Sequence, residues 1–131
     1  KEIDKAVQIL SQKNLSILHC NSSYPAPNKQ LNLKYIKRLK AKYKKAVIGY
    51  SGHEINLSAT IASVVLGAKI IERHITLDKS MWGTDQMSSI EPLGFARLIK
   101  DIRTVEESLG VPKKIVFPEE KKMMKKLRKF S

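Results

Sequence analysis

Three short apolar runs, each flanked by stretches of helical periodicity, constrain this chain more than any other feature. The runs are LSILHC (15–20), AVIGY (46–50) and KIIERHI (69–75). Around them, residues 1–12 place Ile3, Ala6, Val7 and Leu10 on one helical face. Residues 31–43 set Leu33, Ile36, Leu39 and Tyr43 along a helix whose other face is lysine and arginine. Residues 56–68 direct Leu57, Ile61, Val64 and Val65 inward, and Gly67 ends that helix. Pro92 suits the first turn of a helix that runs to Leu109 with Phe95, Leu98, Ile99, Ile102, Val105 and Leu109 as its stripe; Gly110 stops it. The order αβαβαβα with short connections predicts right-handed βαβ units in a parallel sheet covered by helices, an α/β fold.

Three strands cannot close a barrel, and a flat three-stranded parallel sheet leaves two raw edges. The expectation is therefore a partial (β/α)8 TIM barrel. The opening KEIDKAVQIL has no initiator Met and reads as the middle of a helix, so the chain is expected to be a piece of a longer protein. After Ile115, a short strand-like piece and a basic helix, PEEKKMMKKLRKF, are expected.

Composition narrows the partners. With 42% hydrophobic and 28% charged residues the chain is globular in character, and no apolar run approaches the ~20 residues a membrane span needs. Cys20 is the single cysteine, so no internal disulfide is possible and a cytoplasmic location is the simplest expectation. A net charge of +13 favours anionic substrates through the summed field. Nucleic acid is the competing partner, but there is no helix-turn-helix, zinc finger or aromatic-basic RNA motif. Neither nucleic acid nor membrane is expected as a partner.

In (β/α)8 barrels the active site lies at the C-terminal strand ends, where polar residues cluster here. Strand side chains alternate with period two, so Ser51 and His53 share a direction, as do Glu72 and His74; Ser22 and Tyr24 have the same spacing in the first loop. Neutral imidazole is the commonest ligand for borderline metals, and two strand ends can aim two of them at one point. Glu72 is hard to bury without a task or a partner. Bland alternatives stand beside these. A strand-end histidine is often only hydrogen-bonded, and His19 reads as a packed, hydrogen-bonded residue. Cys20 reads as small and buried, while Ser22, Ser23, Ser51 and Asp85 suit turns. Trp82 suits a lid or an interface anchor. A free-standing, non-catalytic basic binding module on an α/β scaffold is the alternative from a different class.

Four motifs, HCNSSYPAP (19–27), GYSGHE (49–54), LGAKIIERHITLDK (66–79) and GTDQMSSIEP (83–92), resemble the sialic acid synthase family over about residues 1–112. The resemblance implies the C-terminal part of that family's barrel domain, its last three β/α units, with 113–131 as a basic linker toward a further domain. It also implies condensation of phosphoenolpyruvate with N-acetylmannosamine, its 6-phosphate or a related N-acyl hexosamine. The products are a nine-carbon sugar acid and phosphate, and the full-length protein is a homodimer.

Position by position, His53 and His74 match the family's two ligands for a divalent metal, Mn²⁺ or Mg²⁺. Ser51 and Ser22 match phosphate-contacting positions, and Tyr24 and Asp85 match contacts to the amino sugar. Glu72 matches a polar position at the mouth and is the catalytic candidate of this stretch, beside rather than on the metal. Ser22 stands where some members have Asn, Gln86 where a His is frequent, and Gly52 where an Asp is frequent; these departures bear on substrate subtype. The family's phosphate-binding lysines and principal acid/base glutamates lie on earlier strands, so this stretch alone is expected to be inactive.

Overall fold

A computed structural model describes residues 2–10 and 14–128. Strand β1 (Ser16–Cys20) pairs with β2 (Val47–Gly52), and β2 pairs with β3 (Ile70–Arg73), all parallel, in the order β1-β2-β3. Helices α1 (Glu2–Leu10), α2 (Tyr35–Lys42), α3 (Ser58–Val65) and α4 (Pro92–Leu109) alternate with the strands, and α5 (Pro118–Leu127) follows. The α/β class and the parallel sheet agree with the sequence periodicity. Among the described residues no helix is long and apolar enough to cross a membrane.

Register decides what meets what. Cys20, Ser51 and Glu72 lie abreast across the sheet, and so do His19, Tyr50 and Ile71. One face carries Ile48 and Tyr50 into a core with Val7, Ile36, Leu39, Tyr43 and Ala68, so α1 and α2 pack there. The opposite face, to which Val47, Gly49, Ser51, Ile70 and Glu72 belong, is only partly covered: Gly49 and Ser51 are buried, whereas Val47, Ile70 and Glu72 are exposed. Val47 is 44% exposed and Ile70 36%. Gly49 on this face is a close-approach position: a Cβ there would stand 2.7 Å from the Ile70 carbonyl oxygen.

Glycine at φ +106° closes the turn after α3 (Gly67) and at φ +49° the end of α4 (Gly110), conformations that L side chains disfavour. The structure departs from the sequence expectation in four places. β1, expected as a buried run, has no fully buried residue, because it is an edge strand with one open face. Val65 is 51% exposed rather than inward, since the eight-residue α3 turns only one side to the sheet. Along α4 only Leu98 is deeply buried, and Ile99 and Leu109 are about half exposed. No strand forms around Ile115, where Lys114–Phe117 has no neighbouring strand edge to pair with. The ends of the expected first helix and of the basic tail, residues 11–12 and 129–130, lie outside the described residues.

Candidate active site

β2 and β3 stop at Gly52 and Arg73, a matched pair, so the next residues, His53 and His74, leave the sheet abreast. Their ring centroids are 5.1 Å apart and nearly perpendicular. The Tyr24 ring lies 4.4 Å from His53 and 5.6 Å from His74, so the first loop closes over both imidazoles. Pro25 and Pro27 keep that loop out of a helix. It is fastened to His53 twice: the Ala26 N–H donates to the His53 carbonyl at 2.9 Å, and the imidazole Nδ1 meets the Asn21 carbonyl oxygen at 2.8 Å. The second contact requires a proton on Nδ1, which leaves Nε2 of neutral His53 as its free lone pair.

His74 is held differently. The Ile90 N–H donates to its carbonyl at 2.8 Å, and Ile75 bridges to Ile90, so the long loop 76–89 returns beside it. That loop carries Asp85, whose Oδ2 stands 3.6 Å from His74 Nδ1. Ser51 donates its hydroxyl to Glu72 Oε1 at 2.7 Å, directly across the strand pair. Glu72 is exposed on the open face, with Ser51 as its partner. Ser22 is also exposed, with Oγ 3.6 Å from Cys20 Sγ, itself 3.8 Å from His53 Nδ1. Cys20 is thus exposed rather than buried, because its strand position faces the open side.

These contacts join four of the seven sequence candidates, Tyr24, His53, His74 and Asp85, and pair two more, Ser51 and Glu72, two residues before the imidazoles on the same strands. Ser22 lies at their margin through Cys20. His19 is not among them; its Nε2 is 2.6 Å from the Leu31 carbonyl, and its ring lies beside Tyr35 and Tyr50, on the helix side. Trp82 is fully exposed. His53, with its Nδ1 engaged, and His74, with its Nδ1 beside Asp85, fit a divalent cation as two imidazole donors. No group of three His, Cys, Asp or Glu suited to a metal occurs among the described residues. Such a cation would take two imidazole ligands from the described residues.

The sequence reading missed the pair behind the site. Glu54 is fully buried and the Arg73 side chain is 1% exposed, with Arg73 Nη1 3.2 Å from Glu54 Oε1. Tyr50 and Thr60 donate hydroxyls to the two oxygens of the same carboxylate at 2.8 and 2.6 Å. Arg73 also donates to the carbonyls of Glu54, Asn56 and Ser88 and to Thr60 Oγ1. Burial, reinforced by the Glu54 charge, pushes the Tyr50 phenol well above its usual range. Burial also pulls the Arg73 guanidinium below its ordinary value, opposed by Glu54. The available signal was Gly52, a glycine inside an apolar strand, abreast of an arginine.

The model of the NeuB family matches residues 1–114. N-acetylneuraminate-9-phosphate synthase of Homo sapiens is 40% identical over 129 residues, covering 98% of this chain and 36% of that protein. N,N'-diacetyllegionaminic acid synthase of Campylobacter jejuni is 40% identical over 114 residues, covering 83% of this chain and 34% of that protein. A crystal structure of N-acetylneuraminic acid (sialic acid) synthetase from Leptospira borgpetersenii, in complex with citrate, superposes with a TM-score of 0.82 at 35% identity. That match covers 95% of this chain and 44% of the other. The chain spans little more than a third of the curated relatives it matches.

Proposed function

This chain belongs to the NeuB family, and from that premise we propose that it is the C-terminal stretch of the barrel of a sialic-type sugar acid synthase. The full-length enzyme joins phosphoenolpyruvate to N-acetylmannosamine, its 6-phosphate or a related N-acyl hexosamine. In this reading residues 1–112 are the last three β/α units and 113–131 the linker to a further domain. The partly covered face of the sheet, with Val47 and Ile70 exposed, is the side such a barrel would close over. A homodimer in the cytoplasm belongs to the same reading.

One observation carries it: two imidazoles from adjacent strand ends meet under an aromatic ring from the first loop. A divalent Mn²⁺ or Mg²⁺ held by His53 and His74 would act as a Lewis acid on the open-chain sugar aldehyde. The remaining work falls to the chain's own groups. The Asn21 carbonyl fixes the His53 tautomer, and Asp85 sits where it can fix His74 and accept a sugar hydroxyl. Ser22 offers a hydroxyl donor to the phosphate of phosphoenolpyruvate, Ser51 does so on turning its hydroxyl away from Glu72, and Tyr24 walls the site against the N-acyl group.

Carbon 3 of phosphoenolpyruvate attacks the aldehyde carbon, and water captures the positive charge left at carbon 2. Glu72 is the carboxylate of this stretch able to take that water's proton and pass it to the alkoxide formed from the aldehyde; the second proton is lost with the departing phosphate as the carbon 2 carbonyl forms and the C–O bond breaks. Lysines and acid/base glutamates of the earlier strands complete the site, so residues 1–131 alone do not turn over.

The test is Mn²⁺ titration calorimetry on the full-length protein and its His53→Ala and His74→Ala variants, with phosphate release assayed on the same samples. Each substitution should abolish both. Survival of binding and turnover in both variants would make the histidines structural and overturn the proposal.

A further inference from the structure

The dipeptides His53-Glu54 and Arg73-His74 run in mirrored order on adjacent strands, so while the imidazoles meet on one side, the charges meet on the other. Arg73 ties three segments together. It grips Glu54 and the Asn56 carbonyl in the loop after β2, Thr60 at the start of α3, and the Ser88 carbonyl in the loop that carries Asp85. Two of these segments border an imidazole, since Glu54 follows His53 and Asp85 faces His74, and Arg73 itself precedes His74. From this placement we propose that Glu54 and Arg73 form a positioning clamp. It sets the spacing and orientation of the His53 and His74 rings, and Gly52 is the gap it needs. The inference deepens the proposed function and rests on it for the role of the rings.

Stability alone does not account for the pair. A buried ion pair roughly breaks even with an apolar isostere, because desolvation offsets the attraction. This one also leaves Arg73 Nε and Ser88 Oγ buried without partners. Such an arrangement suits a geometric role, in which a planar, multidentate guanidinium holds several acceptors at fixed angles. A lysine ammonium cannot reproduce that fork.

Gly52 has a related constraint. A Cβ there would stand 2.8 Å from Glu54 Oε2, 2.8 Å from Tyr50 Cε1 and 2.9 Å from Arg73 Cδ. Its φ is unexceptional, so what the position requires is space. In this chain residue 52 therefore answers to the buried side of the sheet, where Glu54, Tyr50 and Arg73 surround it.

The experiment uses the full-length protein with Mn²⁺ alone as probe, in calorimetry, and ¹⁵N-histidine NMR of the metal-free protein. The variants are Arg73→Lys, Glu54→Gln and Gly52→Ala, with Leu98→Ala as a control that lowers stability away from the site. Arg73→Lys and Glu54→Gln should each weaken Mn²⁺ binding on the order of tenfold, with Leu98→Ala staying within about twofold of wild type. In the metal-free protein the His53 imidazole shifts should move in the clamp variants and not in the control. Glu54→Gln keeps the shape of the side chain and serves if Arg73→Lys fails to fold. Unchanged affinity together with unchanged imidazole shifts overturns the clamp and leaves the proposed function standing. If wild type itself binds no Mn²⁺, the metal role of the histidines falls, and the imidazole shifts alone then decide for or against the clamp.

Discussion

The two faces of one small sheet have opposite solutions to the same problem. On the helix side, Tyr50 and Ile48 are buried by the chain's own helices, and the charges that arrive there, Glu54 and Arg73, are enclosed and bonded on several sides. On the other side, Ser51, Glu72, His53 and His74 gather at the strand ends above Val47 and Ile70, which stay exposed. Neighbouring residues in sequence thus live in different media. A charge on the helix side must be paired at once, whereas Glu72 on the open side is exposed beside its partner Ser51. One face fixes geometry and the other is left free to use it.

That contrast breaks most readily at its charges. Arg73→Met strands the Glu54 carboxylate and should cost about 3–5 kcal/mol in urea unfolding of the full-length protein, with most of it recovered in Arg73→Met/Glu54→Leu. Glu72→Gln, which removes a charge from the open face, should stay within about 0.5 kcal/mol. Equal losses at the two sites would erase the distinction between the faces.

Val47→Asp sharpens the comparison from the other side. If the rest of a barrel covers this face, the full-length protein should lose about 1–3 kcal/mol on burying an unpartnered polar group, whereas a face open to solvent would leave stability almost unchanged. Gly49→Ala should cost a similar 1–3 kcal/mol or somewhat less, roughly the penalty of overpacking, because its new methyl meets the backbone of β3 and not a movable side-chain tip. Thermal unfolding of the same protein checks it.

The smallest effect is expected at the far end of the helix side, where Asp4 of α1 accepts from Tyr43 at 2.7 Å and pairs with Lys42. Lys42 first, then Tyr43, lower the Asp4 carboxyl from 3.8 to about 2. A depressed folded value stabilises above the unfolded one, so this contribution is complete above pH 3.8 and is lost as pH falls through about 2. Asp4→Asn should flatten the unfolding free energy over that window and leave it parallel to wild type at neutral pH.

Much of this was legible in the residues. Pro92 and Gly110 bound α4 as their chemistry requires, and the residues that the period-two spacing singled out meet across the strands, Ser51 with Glu72 and His53 with His74. Tyr24 and Asp85 reach the imidazoles through loops whose course no periodicity encodes; spacing had singled out Tyr24 beside Ser22, whereas for Asp85 the family resemblance pointed to the site. Val65 and Cys20 were misplaced because the side each faces was unknown: α3 turns Val65 away from the sheet, and Cys20 faces the partly open side of β1. Apolar or small character says that a residue can be buried, whereas the side it faces decides whether it is.

The sequence by itself determined the alternation of strands and helices, the ends of the longest helix, and the membership of each strand residue in one of two faces. Those follow from local periodicity and from the conformations that proline and glycine allow. Only the tertiary structure decided which face the helices cover and that Glu54 finds Arg73 nineteen residues away. Period two assigns residues to opposite sides without naming the sides, and a buried charge is tolerable only through a partner supplied by the register of another strand.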